Sequence, residues 1–128
     1  MPTEDKLRAA HTAVVVRVLE GDGWAPRAQR RAAFENAGLV DPLGTLIDKV
    51  AKRPTRITYE DFAAVKASGL AEDQIFELVV CAALGQATRQ YETALEALAE
   101  ATADIDKTRL DKTRACYEPK GRACRIGA

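Results

Sequence analysis

The sequence predicts an all-α fold: an antiparallel bundle of about five helices around one long central helix, followed by a flexible basic C-terminal tail. Three observations predict it. Apolar residues recur at helical spacing over most of the chain, and Gly and Pro punctuate that pattern at the joints. Aromatic residues make up only 5% while alanine is abundant, a composition that suits close-packed helices better than a β-sandwich. A chain of 128 residues is also long enough to bury roughly two-thirds of its unfolded surface without cross-links. Residues 1–104 are read as the helical domain and 105–128 as the tail.

Helix one is expected from Glu4 to Leu19, capped by Thr3, with Glu4 and Asp5 placed favourably against the helix dipole. Its apolar stripe is Leu7, His11, Val14, Val15, Val18 and Leu19, although the valine run also has strand propensity. Gly21-Asp22-Gly23 breaks the chain, and Pro26 opens a second helix that ends near Ala37 with Gly38 as its left-handed terminator. Asp41-Pro42 then starts a third helix, whose Leu43, Leu46, Ile47 and Val50 form a stripe up to Pro54.

Thr58 and Asp61 have the spacing of a capping box for a short fourth helix closed by Gly69. The pattern restarts at Glu72-Asp73-Gln74 and holds to about Asp104. Around Cys81, residues Ile75, Leu78, Val79, Ala82 and Leu84 make this helix apolar on nearly every side, so other helices or another subunit must cover it. Gly85, among Ala82, Ala83 and Ala87, marks a close helix crossing. Beyond Asp104 the apolar pattern dissolves, and Pro119 and Gly121 suggest a turn.

Nineteen basic and nineteen acidic residues cancel, which excludes a strong uniform field for nucleic acid or an anionic membrane. The distribution is uneven. Residues 107–128 hold seven Lys and Arg against two acids, net +5, and the rest holds twelve against seventeen, net −5. An acidic protein partner, including a neighbouring copy's body, is the better electrostatic match for the tail. The three cysteines imply no disulfide framework, no signal peptide or membrane span is evident, and a cytoplasmic location is expected.

The segment ITYEDFAAVKASGLAEDQIFELVVCAALGQATRQYETALEAL, residues 57–98, resembles the C-terminal helical unit of the carboxymuconolactone decarboxylase and alkylhydroperoxidase D-like superfamily. The shared pattern is a capped helix, a GLAEDQIFEL junction and a small-residue helix. With LVDPLGTLIDKVAKRPTRIT before it, the resemblance covers about residues 39–99. It implies an all-α domain that associates into dimers, trimers or hexamers. Peroxidase members carry a Cys-x-x-Cys pair followed by a histidine, and this chain has no such motif.

Cys81 has no sulfur partner at i+3, and its apolar neighbours would raise its thiol pKa, as expected of a core cysteine. Cys116 and Cys124 are candidates for redox chemistry or modification in the tail, because Pro119 and Gly121 let the intervening segment close into a small loop. His11, the only histidine, lies on an apolar stripe and is expected to be a hydrogen-bonded structural residue. Glu77, Arg89, Tyr59, Glu60 and Tyr91 are further candidates for a polar pocket, with structural ion pairing the plainer expectation for Glu77 and Arg89. No cofactor or metal site is expected, since two thiolates without a nearby histidine leave zinc short of ligands.

The reading that follows is a catalytically degenerate helical domain of this superfamily acting in assembly or binding, most simply as a homo-oligomer. Two alternatives stay open. One is an enzyme of peroxide reduction or lactone decarboxylation that uses Cys81, His11, Glu77 and Arg89. The other is a carrier domain for the C-terminal peptide ACYEPKGRACRIGA.

Overall fold

The structure, a computed structural model, describes residues 3–116, with side-chain environments described for residues 5–103. Among the described residues it is all-α: α1 (Thr3–Glu20), α2 (Arg27–Glu35), α3 (Leu43–Lys52), a 3₁₀ turn at Pro54–Arg56, α4 (Tyr59–Ala67) and α5 (Glu72–Cys116). Packing divides the chain into Met1–Arg89 and Gln90–Ala128. The first unit holds the hydrophobic core. In the second, α5 continues with a largely exposed surface over residues 90–103.

The core joins Leu19 of α1, Ala33 of α2, Leu43, Leu46 and Ile47 of α3, and Val65 of α4 to Ile75, Leu78, Cys81 and Ala82 of α5. Helix α5 is thus the central element, as the apolar pattern predicts. Helix α1 runs antiparallel to it: His11 bonds Thr88 while Val18 and Cys81 share one cleft. The valine run of α1 is helical, so packing on α5 overrides its strand propensity. Only part of the predicted stripe turns inward, since Leu19 is buried and His11, Val15 and Val18 are half-buried. Leu7 and Val14 face out, at 58% and 50% exposure, because α1 presents the side led by His11 and Val18 to α5.

Two terminators differ in detail from expectation. Asn36, not Gly38, ends α2: it adopts the left-handed conformation at φ 53°, and its N–H donates to the carbonyls of Ala32 and Ala33. Asparagine tolerates this region, and Gly38 follows with its own positive φ inside the connecting loop. Pro42 stands just before α3 rather than in its first turn, and Asp41 accepts a bond from the Thr45 hydroxyl at 2.8 Å. The capping box forms as its spacing predicts: the Thr58 side chain accepts from the Asp61 N–H while Asp61 accepts from the Thr58 N–H.

Gly85 marks the predicted close crossing. A Cβ there would overlap the Phe34 carbonyl at the end of α2. Helix α5 runs to Cys116, beyond the expected limit at Asp104. Its last turns contain no Gly or Pro, and Lys107, Arg109, Leu110, Lys112, Arg114 and Ala115 are good helix formers that propagate a helix without an apolar stripe. The rest of the predicted tail, including Cys124, lies outside the described residues, as does the side chain of Cys116.

Candidate functional site

Two charged side chains of the first unit, Glu77 and Arg30, converge on the loop between α1 and α2. Glu77 of α5 accepts the backbone N–H groups of Trp24 at 2.6 Å and Ala25 at 2.7 Å, one with each carboxylate oxygen. From the other side, Arg30 of α2 donates to the carbonyls of Val18 at 3.0 Å, Gly21 at 2.7 Å and Ala25 at 3.0 Å. The loop is therefore held through its amides by an anion and through its carbonyls by a cation. Such charge-assisted bonds are stronger than neutral ones. Gly23 belongs to the same geometry: a Cβ there would lie 2.7 Å from a Glu77 carboxylate oxygen, so a side chain at this position would push against the acid that holds the loop.

An open cleft of about 320 Å³ lies beside this clamp, lined by Arg17, Val18, Asp22 and Arg30 with Phe76, Glu77, Val80 and Cys81 of α5. Of the four weak catalytic candidates, the cleft brings together only Glu77 and Cys81. Cys81 is fully buried, and burial pushes its thiol pKa up, partly offset by the nearby Arg30 guanidinium. At neutral pH it is a thiol, a poor nucleophile. The burial expected of Cys81 is observed.

His11 lies elsewhere. Its Nε2 is 2.9 Å from the Thr88 hydroxyl, which itself donates to the Leu84 carbonyl. Thr88 is seven residues from Cys81, about 10 Å of helix rise. Arg89 donates to the Phe34 carbonyl at 2.8 Å and to the Gln86 side chain, so it caps the C-terminal end of α2. The anticipated ion pairing of Glu77 and Arg89 is corrected here. Each binds backbone groups of a different segment because those amides and carbonyls at loop and helix ends have no partner of their own.

Tyr59 and Glu60 are exposed at the start of α4, away from the cleft, and Tyr91 belongs to the second unit. No cluster of three potential metal ligands occurs among the described residues. No helix among them is long and apolar enough to cross a membrane. Sequence reasoning missed Arg30, which is 5% exposed yet sits in the basic run Arg27-Ala-Gln-Arg-Arg31. The available signal was its spacing from Ala33, which places both on one helix face.

No known protein family, curated protein or solved structure matches the chain.

Proposed function

We propose that this chain is a non-catalytic helical domain, of the alkylhydroperoxidase D-like kind its sequence resembles, that works by self-assembly. The observation that carries this reading is an apolar row left uncovered on α5. Phe76 and Val80 are 64% and 51% exposed, and Ala83 and Ala87 continue their row at spacings of three and four residues. A second copy is the occupant that fits. Two antiparallel α5 helices related by a two-fold axis between Val80 and Ala83 set Phe76 against Ala87 and Val80 against Ala83. Large side chains then meet small ones at every step. The net −5 of residues 1–106 and +5 of residues 107–128 also complement each other between copies.

The groups an enzyme would need are already engaged. Glu77 holds the loop with both oxygens, Cys81 is buried as a thiol, and His11 is bonded to Thr88. Light scattering on purified protein is expected to give a dimer or a multiple of it, and Ala83→Glu to give a monomer with unchanged helical circular dichroism. Peroxide and lactone substrates are expected to stay unturned. A monomeric wild type overturns the assembly; robust turnover overturns the non-catalytic reading.

A further inference from the structure

Arg30 is the most unusual residue of the fold, since buried arginines are normally paired with a carboxylate. At 5% exposure it makes three hydrogen bonds, all to neutral backbone carbonyls, through Nε and Nη1. No described carboxylate lies within ion-pair distance of it. Its second terminal nitrogen, Nη2, has no hydrogen-bond partner among the described residues. No fully buried polar side-chain atom there lacks a partner, so Nη2 reaches solvent, and Arg30 is among the residues that line the 320 Å³ cleft. A guanidinium with two undonated N–H groups thus lines a cleft whose walls include Val18, Phe76 and Val80.

We propose that this cleft binds a small organic monocarboxylate, its carboxylate on Nη2 of Arg30 and its apolar body against Val18 and Val80. The unmet groups are donors, which selects an anion. A planar carboxylate matches the guanidinium edge, and the bond is charge-assisted in a partly desolvated place. The cleft is at the small end of ligand pockets, about 300–1,000 Å³. Asp22 and Glu77 also line it, so a second carboxylate on the ligand meets like charge. The acids therefore select against dianions and the apolar walls against free inorganic anions.

The site lies within one chain, but Phe76 and Val80 also belong to the row proposed to meet a second copy, so its test is run on Ala83→Glu, in which that row is open. Benzoate, benzamide, phthalate and inorganic phosphate are titrated separately into isotopically labelled full-length protein, followed by amide NMR shifts. Benzoate is expected to give saturable shifts confined to residues 17–30 and 76–81 of Ala83→Glu. Benzamide, which lacks the charge, is expected to bind at least about tenfold more weakly, as are phthalate and phosphate. Arg30→Lys, with helical circular dichroism retained, is expected to lose the benzoate shifts. Should Arg30→Lys fail to fold, the benzoate and benzamide comparison on Ala83→Glu decides alone. Absent or unsaturable benzoate shifts, shifts centred elsewhere, or equal binding of benzamide overturn the proposal.

Discussion

Gly85 sets how near α2 comes to α5. The Phe34 carbonyl occupies the space its side chain would take, and Arg89, one turn on, donates to the same oxygen. The two residues act together: the missing side chain admits the carbonyl, and the guanidinium satisfies it. In an open helix, replacing this glycine with alanine would gain about 1 kcal/mol of helix propensity. Here the steric term opposes and exceeds it. Gly85→Val is expected to destabilise the fold by about 1–3 kcal/mol, the usual cost of overpacking. Urea unfolding followed by circular dichroism measures it, and a more stable variant would refute the close contact.

Among the elements, α4 depends most on its own cap. Asp61 accepts the Lys49 ammonium at 2.9 Å and the Thr58 N–H at 2.8 Å, which together hold its carboxyl below the usual value. The ammonium contributes most. A carboxyl whose pKa falls on folding adds stability that is complete above the unfolded value of 3.8 and is lost as pH drops through the lower folded value. Asp48, lowered mainly by the Asn36 amide, adds to the same acid-side loss. Stability measured between pH 5 and pH 2 should therefore fall, and Asp61→Asn should flatten that slope. Thr58→Ala should cost about 1 kcal/mol at neutral pH, read from the denaturation midpoint.

Helix α4 was legible in sequence because a capping box is local: Thr58 and Asp61 announce it within four residues. The helix stripes of α3 and α5 were legible for the same reason, their spacing recording which side is covered. Arg30 and Glu77 were not legible as a pair of clamps. Their partners are backbone atoms of a loop 52 and 53 residues from Glu77 and up to twelve from Arg30, and backbone groups leave no mark in composition. The outward turn of Leu7 and Val14 was hidden as well. A continuous valine run has no polar side to show which face meets α5.

For the molecule as a whole, the same burial that stabilises Cys81 keeps it from reagents. Cys81 is 0% exposed, and its neighbours Leu78 and Ala82 belong to the core. With Cys116 and Cys124 replaced by serine, native protein is expected to show almost no reaction with a water-soluble thiol reagent, and one full equivalent in denaturant. Reaction at a rate near that of a free thiol would show the core opening without unfolding.

The loop gripped by Arg30 and Glu77 has a temporal consequence. Arg30 follows the loop closely in the chain, but Glu77 is more than fifty residues on. A nascent chain leaving the ribosome therefore carries its first two helices with the bend between them held from one side only. The corner locks after α5 has been made and has docked, so fragments ending before Glu77 will keep a loose elbow that the finished protein lacks.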